Sequence, residues 1–194
     1  MKLGIFLPNW VGDVAMATPT LRALRSYFGS QAELIGILRP YVTEVLAGTT
    51  WLDRTILYDP RSAQSTDSGW PLVRELRRAR LDTVLLLTNS LRTGLLAWAS
   101  GARERIGYVR NFRGPLLSRK LYPVRSRGKL LPTSAVDYFL DLAYAAGCPP
   151  ESPRLELATT PADDERAQRV WSRLKLPGGR EVVAINSGGA FGAA

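Results

Sequence analysis

Residues 3–14 read Leu3-Gly-Ile-Phe-Leu-Pro-Asn-Trp-Val-Gly-Asp-Val14, an apolar run followed at once by a polar turn. The apolar half, Leu3–Leu7, is closed by Pro8 and predicts a short buried β-strand. In the turn, Gly12 permits a sharp bend of the backbone. Asp13 is the only carboxylate among the first 32 residues, so it is the first candidate for a chemical role.

Strand and helix patterns alternate along the rest of the chain. Apolar runs predict further strands at 32–38, 53–58, 83–87, 105–109 and 181–185. Helices are predicted at 18–28, 41–47, 72–80, 94–100 and 134–147, and another opens at Thr160-Pro161. Strands that alternate with helices form right-handed βαβ units. The sequence therefore predicts an α/β fold with a doubly wound parallel sheet.

The composition excludes several classes of protein. With 194 residues and 45% hydrophobic content, the chain can bury a sizeable core. Its apolar runs are far shorter than the roughly 20 residues that span a bilayer. The single cysteine, Cys148, excludes an internal disulfide and fits a reducing cytosol. Because there is no histidine, the chain cannot form a His-based metal site or a Ser-His-Asp triad.

Positive charge is concentrated in one region. The net charge is +9, and the segment 103–129 holds nine cations against the single acid Glu104. These cations are Arg103, Arg105, Arg110, Arg113, Arg119, Lys120, Arg125, Arg127 and Lys129. Such clustering favours an anionic partner, either nucleic acid or a phosphorylated or carboxylated sugar. A plain solvated basic face is the alternative.

Two polar clusters follow predicted strands, where ligands bind in open α/β sheets. Asp13 is either a functional carboxylate or a helix N-cap. The pair Thr18-Pro19 is itself a helix start, and Pro19 would break a helix begun at Asp13. Residues 88–92, Thr-Asn-Ser-Leu-Arg, either face the crevice or cap the following helix.

The end of the chain predicts a second domain. Residues 148–161 contain four prolines and have the composition of a linker. A helix, a strand and the glycine-rich run 186–192 follow, and adjacent glycines after a strand leave amides free for phosphate oxygens. Such a loop normally feeds a helix. The chain stops before one could form, so we expect a fragment with domains at 1–160 and 161–194.

The stretch Asn9-Trp-Val-Gly-Asp-Val-Ala-Met-Ala-Thr-Pro-Thr-Leu-Arg-Ala-Leu-Arg25 resembles the N-terminal motif of the ADP-heptose:lipopolysaccharide heptosyltransferases, glycosyltransferase family 9. Residues 89–92, 105–110 and 188–194 resemble later motifs of that family, in the same order. The resemblance implies a GT-B fold, in which two Rossmann-like domains enclose the site. Residues 1–160 would then be the acceptor-binding domain, and 161–194 the start of the nucleotide-sugar domain.

The same resemblance implies the reaction and its residues. Heptose would pass from ADP-heptose to an inner-core sugar of lipopolysaccharide with inversion, without cofactor or metal, and with Asp13 as general base. The implied acceptor-binding residues are Trp10, Gly12, Asn89, Ser90, Arg92, Arg110 and Arg113. The implied donor-binding residues are Ser187, Gly188, Gly189, Ala190, Phe191 and Gly192.

The implied partner is anionic, because the acceptor carries Kdo carboxylates and lipid A phosphates. We expect a cytoplasmic protein that contacts the anionic inner membrane electrostatically and binds no nucleic acid. The family continues past its Phe-Gly-x-Ala loop into a Lys-Arg-Trp-Pro run that this chain lacks, so the chain alone should be inactive. A non-catalytic module for an anionic polymer is the main alternative. A dehydrogenase is disfavoured because G-x-G-x-x-G is absent.

Overall fold

The computed structural model describes residues 1–59, 69–126, 129–178, 182–183 and 185. The chain forms two compact units, Met1–Ala158 and Thr159–Ala194. The sequence-based boundary fell after residue 160.

The first unit alternates strands and helices. Its strands are β1 (Lys2–Phe6), β2 (Glu33–Leu38), β3 (Arg54–Leu57), β4 (Thr83–Leu86), β5 (Glu104–Tyr108), β6 (Arg119–Leu121), β7 (Arg125–Ser126) and β8 (Lys129–Leu130). Its α-helices are α1 (Val11–Met16), α2 (Thr18–Phe28), α3 (Gly69–Ala79), α4 (Leu91–Ala99) and α5 (Ala135–Ala145). Short 3₁₀ helices lie at Gly29–Gln31, Pro40–Leu46 and Gly114–Leu116.

The main sheet has the strand order β3-β2-β1-β4-β5-β6, and every neighbouring pair is parallel. In β1, Phe6 pairs with Ile37 on one side and with Leu86 on the other. The chain leaves β1 toward β2 and later returns to β4 on the opposite side. A crevice therefore opens beyond the carboxyl ends of β1 and β4. This order confirms the predicted doubly wound α/β fold, and β7 and β8 form a separate antiparallel pair.

The sheet is covered on both faces. Leu3 and Ile5 of β1 belong to a core cluster shared with α2 and α5. Phe6 of β1 and Leu86 of β4 belong to a second cluster, shared with α3 and α4. Helices on both faces explain why the central strands are almost unbroken apolar runs.

Four local features differ from the sequence-based expectations. The predicted helix at 41–47 is the 3₁₀ helix Pro40–Leu46. Helix α1 was not predicted, and α2 begins after Ala17 rather than with Thr18 as its cap. The Thr18 hydroxyl instead donates to the backbone oxygen of Ala15 at 2.7 Å. Strand β6 was also missed, because its residues show no apolar pattern.

Two predictions near the chain's end have different outcomes. The predicted helix start at Thr160-Pro161 is confirmed by α6 (Pro161–Arg173), which has a capping box. Asp163 N donates to the Thr160 hydroxyl at 3.2 Å, and Thr160 N donates to the Asp163 carboxylate at 3.0 Å. The strand predicted at 181–185 falls partly outside the described residues.

The end of the first unit is anchored to α2 by Arg22. Its guanidinium donates to the backbone oxygens of Ser152 at 2.8 Å and Arg154 at 3.0 Å. It also donates to the Glu156 carboxylate at 2.9 Å. The backbone N–H of Glu156 donates to the Thr18 hydroxyl at 3.2 Å. These contacts hold residues 152–156 against the start of α2.

None of the described helices combines the length and the apolar character needed to cross a bilayer.

We predict that Leu72→Ala lowers the free energy of unfolding by roughly 2–5 kcal/mol, because it leaves a cavity under α3. Leu72 is 0% exposed. The matched change Leu95→Ala removes a side chain that is 47% exposed on α4, and it should cost about 0.5 kcal/mol or less. Urea unfolding of both variants tests the assignment of these faces, and equal losses would contradict it.

Candidate active site

A cleft of about 420 Å³ opens at the carboxyl ends of β1 and β4. Its floor and walls come from the turn after β1, the turn after β4, the segment around β8 and the start of α5. The lining residues are Pro8, Asn9, Trp10, Asp13, Leu87, Thr88, Asn89, Ser90, Arg110, Pro123, Leu130, Leu131, Thr133, Ala135, Tyr138 and Phe139. The topology thus brings the two polar clusters of the sequence into one cleft.

Asp13 lies in this cleft on the first turn of α1. The N-cap of α1 is Trp10, so the interpretation of Asp13 as an N-cap is wrong. The side chain of Asp13 is half-buried. Within the described part of the chain, no group donates a hydrogen bond to its carboxylate or pairs with it. A carboxylate with no structural partner can accept a proton from a bound alcohol.

The other residues of the first turn have different positions. The side chain of Trp10 is 66% exposed and forms part of the cleft wall. Gly12 is the second residue of α1, and a Cβ added there would meet nothing within 4 Å. Gly12 is not among the described residues that line the cleft.

The turn after β4 supplies Asn89 and Ser90. Ser90 is the N-cap of α4, and its hydroxyl accepts from Thr93 N at 3.1 Å. The capping alternative is therefore correct for Ser90, which also lines the cleft. Arg92 is not among the described residues that line the cleft. Its guanidinium carbon instead lies 6.0 Å from the ring centroid of Tyr58.

Arg113 is not a surface residue, which corrects its expected place on an exposed basic face. Its side chain is 0% exposed. The guanidinium donates to the backbone oxygens of Thr88 and Tyr108, the latter at 2.9 Å, and to Asn89 Oδ1 at 3.1 Å. Burial lowers the pKa of Arg113 to about 10. Arg113 thus connects the ends of β4 and β5 from inside the protein.

Two tyrosines complete this buried network. The Tyr138 hydroxyl donates to Asn89 Oδ1 at 3.0 Å, and the Tyr138 ring stacks on that of Tyr108 with centroids 3.8 Å apart. Tyr108 donates to Asp141 at 2.8 Å. Burial raises the pKa of both tyrosines, and for Tyr108 the Asp141 carboxylate adds to the effect. Both hydroxyls therefore remain protonated donors at neutral pH.

Sequence reasoning missed Tyr138 as a site residue. It lies one position before Phe139, outside the apolar stripe that marks the core face of α5. An aromatic hydroxyl next to a helix's core stripe was the available signal, but its partner Asn89 is 49 residues away.

The predicted basic segment does not form one free surface. Arg105 donates to the backbone oxygens of Leu116, at 2.7 Å, and Ala102. Arg119 pairs with Glu104 at 2.8 Å. Arg110 lines the cleft. At least three cations of this segment, Arg105, Arg113 and Arg119, thus bond to other groups of the first unit, whereas Arg103, Lys120 and Lys129 are exposed.

The predicted donor residues Ser187, Gly188, Gly189, Ala190, Phe191 and Gly192 lie outside the described residues. In the described part of the chain, no three His, Cys, Asp or Glu residues are grouped as ligands for a metal ion.

Comparisons with known proteins agree with this architecture. A family model for glycosyltransferase family 9 (heptosyltransferase) matches residues 70–192. Comparison with curated proteins gives no match.

Solved structures share the fold. A family 9 glycosyl transferase from Veillonella parvula superimposes with a TM-score of 0.75 at 20% identity, over 92% of this chain and 50% of that one. The E. coli ADP-heptose LPS heptosyltransferase II superimposes with a TM-score of 0.67 at 22% identity, over 93% of this chain and 52% of that one. The E. coli heptosyltransferase WaaC with ADP-2-deoxy-2-fluoro heptose superimposes with a TM-score of 0.59 at 15% identity, over 77% of this chain and 49% of that one. This chain spans about half the length of each.

We predict that Arg113→Met destabilises the protein by roughly 2–6 kcal/mol, because the buried backbone oxygens of Thr88 and Tyr108 lose this donor and each unpaired group costs about 1–3 kcal/mol. Arg110→Met removes the same charge from the cleft wall and should cost less than about 1 kcal/mol. Chemical denaturation of the two variants measures the difference. Similar midpoints would mean that the network around Arg113 does not stabilise the fold.

Proposed function

The chain belongs to glycosyltransferase family 9, the heptosyltransferases, and on that basis we propose that its first domain binds the acceptor sugar of an inverting glycosyltransferase. The observation that carries the proposal is Asp13, a carboxylate in the cleft beyond β1 that no described group engages. The other walls of the cleft supply neutral amide and hydroxyl groups and Arg110. This combination suits a polyhydroxylated sugar that carries negative charge.

In the proposed reaction, Asp13 is the general base. An acceptor hydroxyl oxygen attacks the anomeric carbon of ADP-heptose, and its proton passes to the Asp13 carboxylate. The bond between the anomeric carbon and the diphosphate oxygen breaks, and ADP leaves with the electron pair. Attack on the face opposite the leaving group inverts the anomeric centre. The transition state has oxocarbenium character, as in glycoside hydrolysis.

The proposed donor contacts come from the second domain, 161–194. Amides of the glycine-rich residues 187–192 would bind oxygens of the diphosphate, since free N–H groups in such loops bind phosphate. We propose that the chemistry needs neither metal nor cofactor. We also propose that the 194-residue chain does not turn over by itself, because it spans about half the length of its structural relatives.

The proposed acceptor is an inner-core sugar of lipopolysaccharide. This follows from the family and from the kind of substrate named for one structural neighbour, an ADP-heptose LPS heptosyltransferase. Arg110 in the cleft supplies a cation for a carboxylate or phosphate of such an acceptor.

We place the proposed membrane contact at the segment around β7 and β8. Tyr122 and Val124 are 69% and 59% exposed, and Leu131 is exposed as well. Lys129, on the paired strand β8, is exposed among these apolar side chains. Basic residues next to exposed aromatic and aliphatic groups favour the anionic surface of the inner leaflet. A cytoplasmic, peripheral location follows from this proposal.

The alternative of a nucleic-acid-binding module has less support. A phosphate-binding surface needs cations that are free to reach phosphates. Arg105, Arg113 and Arg119 of the basic segment instead bond to groups within the first unit. The alternative also gives Asp13 no role.

We predict that Asp13→Asn lowers kcat by about 10²–10⁴-fold, because the amide cannot accept the hydroxyl proton. The measurement uses a fusion of this chain to the donor-binding half of a family 9 relative, with ADP-heptose and a lipopolysaccharide acceptor. KM for ADP-heptose should change little. Glu44→Gln alters an exposed carboxylate elsewhere and should leave the rate unchanged. A fully active Asp13→Asn fusion would refute the assignment of the base.

We predict that the chain co-sediments with vesicles rich in phosphatidylglycerol at low salt. Binding should disappear as ionic strength rises from about 0.01 M to about 1 M, because the screening length falls from about 30 Å to about 3 Å. Lys129→Glu should weaken binding more than Lys175→Glu, which makes the same change on the second unit. Equal effects of the two substitutions would argue against the β7–β8 segment as the contact.

A further inference from the structure

Two asparagines occupy equivalent places at the mouth of the cleft. Asn9 follows β1, Asn89 follows β4, and both line the cleft that contains Asp13. Both side chains are half-buried. An asparagine amide has one face that accepts hydrogen bonds and one that donates them, so its chemical role depends on which face the protein engages.

The oxygen face of Asn9 is engaged by an arginine. Arg39 Nε donates to Asn9 Oδ1 at 2.9 Å, and Arg39 itself is held by Asp59 at 3.5 Å. The Tyr41 hydroxyl also donates to the backbone oxygen of Asn9. A guanidinium carries donors only, so the amide must turn its oxygen toward Arg39. Its NH₂ group then points away from Arg39.

The oxygen face of Asn89 is engaged twice. Arg113 donates to Asn89 Oδ1 at 3.1 Å, and the Tyr138 hydroxyl donates to the same oxygen at 3.0 Å. These two bonds use both lone pairs of the carbonyl oxygen. Asn111 Nδ2 donates to the backbone oxygen of Asn89 at 2.9 Å. Across the described residues, neither Asn9 Nδ2 nor Asn89 Nδ2 donates a hydrogen bond to the protein.

We propose that Asn9 and Asn89 are specificity-determining residues whose amide N–H groups bind oxygens of the acceptor saccharide, with Arg39 and Arg113 as the positioning residues that orient them. This inference rests on the proposed function and assigns the donors that recognise the acceptor. Amides neither gain nor lose protons near neutral pH. They can therefore hold a sugar hydroxyl, ring or carboxylate oxygen without competing with Asp13 for the transferred proton.

The substitutions Asn9→Asp and Asn89→Asp separate recognition from structure. Each keeps an oxygen that accepts from its arginine, but it replaces the NH₂ donors by a second acceptor oxygen and adds a negative charge. If the asparagines served solely to hold Arg39 and Arg113, the new carboxylates would serve equally well, and any loss of binding would be no larger than the added charge alone causes. Thermal denaturation should accordingly show a midpoint that is unchanged or raised, since the new contact is charge-assisted.

The binding experiment uses the 194-residue chain and a lipid-free inner-core oligosaccharide that carries Kdo, followed by calorimetry. Each Asn→Asp variant should bind at least about tenfold more weakly, the loss expected when a hydrogen bond to a ligand is removed. Thr133→Asp adds the same negative charge to the cleft wall without removing an amide, so it measures repulsion alone. The two asparagine variants should lose clearly more affinity than this control.

The outcomes separate the inference from the proposed function. If the wild-type chain does not bind the oligosaccharide, the acceptor-binding function fails and the inference fails with it. If the wild type binds and the asparagine variants match it or match Thr133→Asp, only the inference is overturned.

A second variant tests the orientation itself. Arg39→Gln replaces a pure donor by an amide that can also accept, so Asn9 is free to turn over. The affinity of the Arg39→Gln variant for the oligosaccharide should fall. Its thermal midpoint should change less than the midpoint of Arg113→Met. Unchanged affinity in Arg39→Gln would overturn the positioning role of Arg39.

Discussion

A single buried cation fixes the geometry of the cleft. The Arg113 guanidinium reaches the backbone of Thr88, the side chain of Asn89 and the backbone of Tyr108, and these belong to the ends of two neighbouring strands. Removing a charge from water is costly, and that cost appears as the lowered pKa of Arg113. The planar fork offsets it by satisfying several carbonyl oxygens at once, which a lysine ammonium at the end of a flexible stem would do poorly. The anchored turn after β4 then forms one side of the cleft.

The opposite side depends on a break between two helices. Helix α1 ends at Met16 and α2 starts at Thr18, so Pro19 falls in the first turn of a new helix and breaks none. Asp13 is thereby left on a short helix whose N-cap residue is Trp10. Its carboxylate and the amides of Asn9 and Asn89 are groups that the protein holds in place without using up their remaining bonding capacity. The proposed acceptor sugar would thus meet groups that are already held in place.

The sequence predicted the central architecture well because burial on both faces leaves a plain signal. The runs at 3–7, 32–38 and 83–87 differ from β1, β2 and β4 by only a residue or so at their ends. The rule that ligands bind beyond such strands then located Asp13 and Asn89. Strand β6 gave no signal, since only Leu121 among its three residues is apolar and the strand is paired with β5.

The burial of Arg113 was also unpredictable from local pattern. Within a run of arginines nothing marks the one that turns inward, because its acceptors lie on segments 5 to 25 residues away. The orientation of Asn9 depends likewise on Arg39, 30 residues further along. Long-range pairing of this kind is decided by the assembled sheet, so only the residue types could be named beforehand.

The attachment of residues 152–156 to α2 sets a limit on where this protein can be cut. The last helix of the first unit, α5, ends at Ala145, but the Arg22 contacts extend the cooperative fold to Glu156. A chain shortened to the end of α5 would lack the oxygens of Ser152, Arg154 and Glu156 that accept hydrogen bonds from the Arg22 guanidinium. A protease acting on the native protein should spare this proline-containing stretch, despite its lack of regular structure. The C-terminal boundary of the first unit is therefore set by the Arg22–Glu156 salt bridge and not by the end of α5.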